Sequence, residues 1–69
     1  MTILNNQVQL FRSRNRLTQE DLAKAVGVTR QTIIAIEKGN YTPSILLALK
    51  IAQYFKTSVE KLFTIEEEV

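Results

Sequence analysis

The sequence has no cysteine, no histidine, one proline and only two glycines in 69 residues. Without cysteine the chain cannot form a disulfide, and without cysteine or histidine it cannot assemble the usual zinc ligand sets. The same absences remove the common general bases and thiol nucleophiles, and neither glycine lies in a phosphate-binding loop motif. We therefore expect no enzymatic activity, no metal and no cofactor.

Long apolar runs are also missing. No run reaches the roughly 18 residues that span a bilayer, and Met1–Leu4 is too short and uncharged to be a signal peptide. We expect no membrane association, a cytoplasmic location and no small-molecule ligand. A chain this short buries only about 60% of its unfolded surface, so its stability depends on its apolar residues and on any partner surface.

Charge is unevenly distributed along the chain. The net charge is +2, but three of the seven acidic residues are Glu66, Glu67 and Glu68 at the C-terminal end. The first 65 residues contain nine basic and four acidic side chains, a net charge of +5. A basic body with an acidic end is typical of a nucleic-acid-binding protein, although terminal glutamates that are simply solvated explain the pattern equally well.

The most informative stretch is residues 18–39, TQEDLAKAVGVTRQTIIAIEKG. Two helical patterns, 19–26 and 30–38, each follow a threonine suited to N-capping and end at a glycine suited to the left-handed conformation. Two short helices with so short a connection must cross steeply, which predicts a helix-turn-helix.

The second of these helices has an outer face that packing does not explain. At about 100° per residue, Ile33 and Ile36 lie on the inner side. The opposite side contains Arg30, Gln31, Ile34 and Ala35. Arginine and glutamine make paired hydrogen bonds to guanine and adenine in the major groove, and apolar side chains contact thymine methyl groups. A solvated face is the usual alternative, but the preceding helix and turn favour contact with DNA bases.

Residues 17–39, followed by NYTPS and LALKIA, resemble the Cro/repressor class of helix-turn-helix transcriptional regulators. The resemblance extends from about Val8 to Phe63. It implies an all-α, five-helix, lambda-repressor-like domain in which helix 30–38 enters the major groove. Short stand-alone members of the family are homodimers whose chain ends pair as a small β-sheet, so the resemblance implies such a sheet here.

The resemblance also implies contacts between side chains and DNA phosphates. Gln19 matches a position where family members place a glutamine against a phosphate. Family members also contact phosphates with the loop that follows helix 30–38, which is their recognition helix. The predicted phosphate-contacting residues are Thr18, Gln19, Thr29, Thr32, Lys38, Asn40, Tyr41 and Arg14. Helix capping for the threonines, a plain surface turn for Asn40 and a dipole interaction for Arg14 remain alternatives. Arg12 and Glu37 match family positions that form a structural ion pair.

The remaining apolar pattern predicts three more helices, at about residues 6–15, 44–55 and 59–64. The expected caps are Asn5 or Asn6, then Thr42 followed by Pro43 in the first turn, then Ser58. The expected inner stripe of the middle helix is Ile45, Ala48, Leu49, Ala52 and Phe55.

Several apolar residues are left without a place in this core. Those assigned to a dimer interface are Ile3, Leu4, Leu47, Ile51, Phe63 and Ile65. We expect one domain over 1–69, with a helix-turn-helix core at 18–39 and dimerisation segments at 1–5 and 63–69. A two-fold dimer would set two recognition helices about 34 Å apart, matching an inverted repeat. A monomer whose ends fold over their own domain is the alternative.

The leading functional prediction is a sequence-specific, double-stranded-DNA-binding transcriptional regulator, acting as a homodimeric repressor. The alternative is the antitoxin of a toxin–antitoxin pair, which binds DNA and a protein partner. The short segment after Phe63 leaves little room for wrapping a toxin. A purely protein-binding helical module is a third hypothesis.

Overall fold

The computed structural model describes residues 2–67, which form five helices and two strands. In chain order these are β1 (Thr2–Asn6), α1 (Val8–Arg14), α2 (Gln19–Val26), α3 (Arg30–Lys38), α4 (Ile45–Tyr54), α5 (Val59–Leu62) and β2 (Phe63–Glu67). The fold is therefore mostly helical with a small two-stranded sheet. The five predicted helices are present, but the two strands mean that the domain is not all-α. Met1, Glu68 and Val69, which belong to the two predicted dimerisation segments, lie outside the described residues.

The helices α2 and α3 have the predicted bounds because both of their ends are well specified. Thr18 Oγ1 accepts a hydrogen bond from the Asp21 backbone N–H at 3.0 Å, and the Asp21 carboxylate accepts one from the Thr18 backbone N–H at 2.9 Å. This reciprocal pair is a capping box. Gly27 and Gly39 follow the two helices with φ of +78° and +80°, a conformation that costs glycine little.

The chain ends pair as an antiparallel ribbon, as predicted. Leu4 lies opposite Ile65, and Asn6 lies opposite Phe63. Because the strands take up these residues, α1 begins at Val8 rather than 6, and α5 ends before Phe63 rather than at 64. Asn6 still contributes to the start of α1, since its Oδ1 accepts from the Val8 backbone N–H at 3.2 Å.

The start of α4 also differs from the prediction. Ser44 is the N-cap, and its Oγ accepts a hydrogen bond from the Leu47 backbone N–H at 3.1 Å. Thr42 therefore does not cap this helix, and Pro43 precedes the helix instead of occupying its first turn. Ser58 caps α5 as expected, accepting from the Lys61 backbone N–H at 3.3 Å.

The core is built where α2, α3 and α4 meet, and α1 and α5 close its ends. The large side chains that are fully buried there are Leu22, Ile33, Ile36, Ile51, Leu62 and Val8. Phe11 and Phe55 pack beside this core with their ring centroids 5.7 Å apart. Within residues 2–67, every helix falls short of the length and apolar content that crossing a membrane requires.

The face that α4 turns to the core agrees only in part with the predicted one: Ala48 and Ala52 are buried as expected, but the large side chains differ. Leu47 and Ile51, assigned to the dimer interface, are core residues with 7% and 0% of their surface exposed. Ile45 and Leu49, assigned to the core, are 81% and 50% exposed. Because the helix is apolar around most of its circumference, apolar spacing alone does not determine which side is buried.

Candidate nucleic-acid interface

The helix α3 has one buried and one open side. Ile33 and Ile36 are 0% and 1% exposed and hold the helix against the core. On the opposite side Arg30 and Gln31 are exposed, whereas the neighbouring Ile34 and Ala35 are half-buried. The structure thus brings the four predicted base-contacting residues to one outer face of α3, and the two polar ones are the most accessible. This face is the centre of the candidate interface.

The threonines at the two helix starts have defined hydrogen-bonding roles. Thr29 Oγ1 accepts from the Thr32 backbone N–H at 3.3 Å and lies 3.2 Å from Thr32 Oγ1. One of these two hydroxyl hydrogens is used in their mutual bond, so one remains available to an outside acceptor. Within the capping box the Thr18 hydroxyl oxygen accepts from the Asp21 backbone N–H, and its hydrogen can be donated either to the Asp21 carboxylate or to an outside acceptor. Capping and phosphate binding are therefore compatible at these positions.

The end of α3 leads into an exposed loop. Gly39 and Asn40 turn the chain back, because their backbone N–H groups donate to the carbonyls of Ile36 and Ala35, each at 3.0 Å. The structure places Lys38 and Asn40 at this end of α3 with exposed side chains, and Tyr41 next in the chain is 47% exposed.

The cation Arg14 is exposed as well, in the last turn of α1. Like the loop residues, it is accessible to an outside partner.

The predicted ion pair between Arg12 and Glu37 is present. Arg12 Nε donates to Glu37 Oε2 at 2.7 Å, and Arg12 Nη2 donates to Oε1 at 3.2 Å. Arg12 Nη1 also donates to the Leu17 carbonyl at 2.8 Å, so the same side chain fastens the turn between α1 and α2. Because Arg12 neutralises Glu37, the acid of α3, the exposed charges of this helix are the cations Arg30 and Lys38.

Two further residues complete the support of α3. Gln19, predicted to contact a phosphate, donates from Nε2 to Glu37 Oε1 at 3.1 Å in the free protein. Asn6 donates from Nδ2 to the Ile36 carbonyl at 2.8 Å, a contact that joins β1 to the last turn of α3. This role of Asn6 is not evident from the sequence, since an asparagine before a helix is explained by capping alone.

Together, the fold and this face define a small helix-turn-helix DNA-binding domain. The sequence matches the helix-turn-helix family of Cro/C1 type over residues 9–62, and the chain belongs to that family. It is a transcriptional regulator rather than an enzyme.

Some relatives match this chain over nearly its whole length. An uncharacterized HTH-type transcriptional regulator of Methanocaldococcus jannaschii and the uncharacterized HTH-type transcriptional regulator YgzD of Bacillus subtilis are each 52% identical over 65 residues. Each alignment covers 94% of this chain and 98% of the relative. The crystal structure of the restriction-modification controller protein C.AhdI from Aeromonas hydrophila is similar with a TM-score of 0.76 and 28% identity, over 83% of this chain and 86% of that chain.

Proposed function

We propose that the protein represses transcription by binding an inverted-repeat operator as a homodimer, with one α3 helix in the major groove of each half-site. The division of α3 into two sides supports this most directly. Ile33 and Ile36 anchor the helix in the core, while Arg30 and Gln31 project from the other side. The major groove of B-DNA admits one α-helix, so this open side can reach base edges. A regulator of chromosomal DNA acts in the cytoplasm.

In the proposed complex, Arg30 and Gln31 provide base specificity. Arginine forms paired hydrogen bonds with O6 and N7 of guanine, and glutamine with N6 and N7 of adenine. Ile34 and Ala35 are half-buried and contact thymine methyl groups. The identity of the bases therefore depends mainly on the two exposed polar side chains.

The proposed phosphate contacts surround this face. Lys38 is the last residue of α3, Asn40 and Tyr41 follow it, and Arg14 supplies a further exposed cation from α1. The hydroxyl groups of Thr18 and of the Thr29–Thr32 pair add neutral donors. Each cation that meets a phosphate releases a counterion, so binding should weaken steeply as the salt concentration rises.

An apolar surface formed by α4, α5 and the ribbon supports the homodimer. An open groove of about 600 Å³ runs between α4, α5 and the ribbon. Leu4, Ile45, Leu49 and Phe63 line it, and Ile65 lies opposite Leu4 in the ribbon; we call these five residues the dimer face. Ile45 and Ile65 are 81% and 71% exposed, an unfavourable state for large aliphatic side chains at adjacent elements. A second copy of the chain would cover both residues on each protomer.

The dimer face revises the interface expected from the sequence. Leu4, Phe63 and Ile65 stay in it. Ile3 is half-buried and, as the neighbour of Leu4 in β1, is directed to the other side of the ribbon, so it is not part of the dimer face. On α4, Ile45 and Leu49 replace Leu47 and Ile51, which belong to the core. The proposed partner therefore contacts α4 on the side of Ile45 and Leu49, not on the side of Leu47 and Ile51.

The proposal is tested by fluorescence anisotropy with the duplex upstream of the protein's own gene and a scrambled duplex, over a salt series. We expect preference for the upstream duplex and a log–log salt slope of several units, since each phosphate contact contributes roughly 0.9. Equal affinity for both duplexes would contradict sequence-specific binding to this operator. A reporter gene behind the same promoter should become more active when Arg30 is replaced by alanine, and reduced activity would contradict repression.

A further inference from the structure

Glu37 is an unusual residue for the last turn of α3. Its side chain is 5% exposed, and it is the acid of the ion pair found among residues 2–67. A carboxylate at a helix C-terminus meets the negative end of the helix dipole, and burial removes most of its hydration. Both effects disfavour the charge, so the bonds that Glu37 accepts must compensate for them.

Three donors on two different helices converge on this carboxylate. Arg12 in α1 provides two of the hydrogen bonds, at 2.7 and 3.2 Å. Gln19, the first residue of α2, provides the third at 3.1 Å. Hydrogen bonds to an ionised acceptor are about twice as strong as neutral ones. Through Glu37, the start of α2 and the end of α1 are both fastened to the end of α3.

The position of Gln19 in this network restricts what its side chain can do at a phosphate. Its carbonyl oxygen is an acceptor and cannot bond to a phosphate oxygen. One hydrogen of its Nε2 points at Glu37, and the side chain is half-buried. The Gln19 side chain could therefore donate only its second Nε2 hydrogen to a phosphate, because the first is already donated to Glu37.

We propose that Gln19 is a positioning residue for the recognition helix, and that it affects DNA binding through Glu37 rather than through a phosphate. Gln19 holds the carboxylate from the side of α2 while Arg12 holds it from the side of α1. This fixes the direction in which α3 presents Arg30 and Gln31. The DNA-binding part of this inference rests on the proposed function; the effect on α3 in the free protein does not.

The inference predicts that Gln19 matters more for specific than for non-specific binding. A tilt of α3 spoils base contacts, whereas non-specific binding depends on phosphates. We expect Gln19→Ala to weaken binding to the upstream duplex by roughly 3- to 10-fold, the range for one ordinary hydrogen bond, because Arg12 still holds the Glu37 carboxylate. Binding to the scrambled duplex should change by less than about 2-fold. Equal weakening on both duplexes would overturn the proposal.

A double-mutant cycle separates the two roles of Gln19. Replacing the ion pair by apolar residues, Arg12→Met with Glu37→Leu, removes the carboxylate without leaving a buried unpaired charge, so this background should fold. If Gln19 acts through Glu37, Gln19→Ala has no further effect on DNA affinity there. If Gln19 contacts a phosphate, it causes the same loss in both backgrounds, and the proposal fails. Gln9→Ala, at an exposed glutamine of α1, is the matched control.

A measurement without DNA tests the positioning role independently. Gln19→Ala should shift the backbone amide resonances of residues 30–38 and speed their hydrogen exchange, since a tether of α3 is lost. Gln9→Ala should leave both unchanged. Unchanged α3 resonances in Gln19→Ala would overturn the inference even if the protein binds its operator. Shifted α3 resonances together with no DNA preference in the unmodified protein would reject the proposed function alone.

Discussion

The two open surfaces of this domain have opposite chemistry. The outer face of α3 contains Arg30 and Gln31, which donate hydrogen bonds and contribute positive charge. The outer side of α4 contains Ile45 and Leu49, which are 81% and 50% exposed and have no polar group to offer. Both helices use their remaining side for the core. α3 and α4 therefore pack against the same core, and α3 leaves a polar surface exposed while α4 leaves an apolar one.

This difference indicates different partners and different responses to solution conditions. Contacts of the α3 face with DNA should weaken with salt, because they release counterions. Burial of the dimer face should be nearly independent of salt, because it is driven by removal of apolar surface from water. An operator complex therefore depends on both, and changing one surface at a time shows how the two are linked.

The largest effect should come from breaking the dimer face. Ile45→Asp places a charge in the centre of the proposed apolar contact, so we expect a monomer by analytical ultracentrifugation. Losing the second half-site contact should weaken operator binding by roughly 100-fold, since linked sites gain 10²- to 10⁴-fold in avidity. Binding to an isolated half-site should stay within about 2-fold of the unmodified protein.

A control and a second variant identify which surface is responsible. Leu46 is 64% exposed on another side of α4, so Leu46→Asp should leave the sedimenting mass unchanged. Ile65→Lys should also give a monomer if the ribbon belongs to the interface. A dimer that survives both Ile45→Asp and Ile65→Lys would rule out the dimer face as defined here.

The next largest effect should come from the α3 face. Arg30→Ala removes a proposed paired contact to guanine and should cost about 1–3 kcal/mol on the true operator, with relaxed choice at one base pair. Competition anisotropy with operator variants measures both effects. Lys61→Ala removes the same charge from the exposed surface of α5 and should change affinity little. If Arg30→Ala weakens every sequence equally, Arg30 contacts a phosphate and its assignment to a base is wrong.

How well each surface could be predicted depends on how clearly its helices are marked in the sequence. The helices α2 and α3 combine polar and apolar sides with threonine caps and glycine ends, so every local signal points to the same structure. Their bounds were predicted correctly, and so was the outward direction of Arg30 and Gln31.

The middle helix shows where such signals become ambiguous. Apolar residues surround most of α4, so more than one stripe satisfies the helical spacing. The predicted stripe is correct at Ala48 and Ala52 and wrong at Ile45 and Leu49. Lys50 and Gln53 are exposed, and at about 100° per residue the direction opposite to them falls between Ile51 and Ala48, which are both buried. The polar residues of α4 thus indicate its buried side better than its apolar residues do.

Contacts between distant side chains were predictable only where the family resemblance supplied them. The pair Arg12–Glu37 was expected for that reason and is present. The bonds from Gln19 to Glu37 and from Asn6 to the Ile36 carbonyl join residues 18 and 30 positions apart. Local propensity and spacing contain no information about such pairs, because they depend on how the helices cross.

A smaller effect should come from the cap that starts α2, next to the DNA-binding side. Thr18→Ala removes the side-chain half of the capping box and should cost about 1 kcal/mol, or about 4–8 °C in Tm for a domain of this size. Differential scanning calorimetry at fixed protein concentration measures it. Thr64→Ala, at an exposed threonine of β2, is the control and should change Tm less.

The acidic half of the same cap should respond to pH. The Thr18 backbone N–H, followed by the Thr18 hydroxyl, lowers the pKa of Asp21 below 3.8. The unfolded chain therefore binds this proton more readily than the folded one, so stability from Asp21 is complete well above pH 3.8 and disappears as the pH falls through the lowered pKa. The Tm difference between the unmodified protein and Asp21→Asn should be constant near neutral pH and shrink in strong acid. A difference that persists below the lowered pKa would show that the charge of Asp21 is not responsible.

The smallest effect concerns the end of α4, on the side of the dimer face. Lys56 follows this helix with φ of +55°, a left-handed conformation that Gly27 and Gly39 adopt after α2 and α3. A side chain in this conformation costs roughly 1 kcal/mol, so Lys56→Gly should stabilise the fold, less the entropy that glycine loses on folding. We expect a net gain of about 0.5 kcal/mol. The reverse change, Gly27→Ala, should cost about 1 kcal/mol from conformation alone, because a Cβ there would meet no atom within 4 Å. If Lys56→Gly is destabilising, the Lys56 side chain makes a favourable contact that outweighs the strain of its backbone.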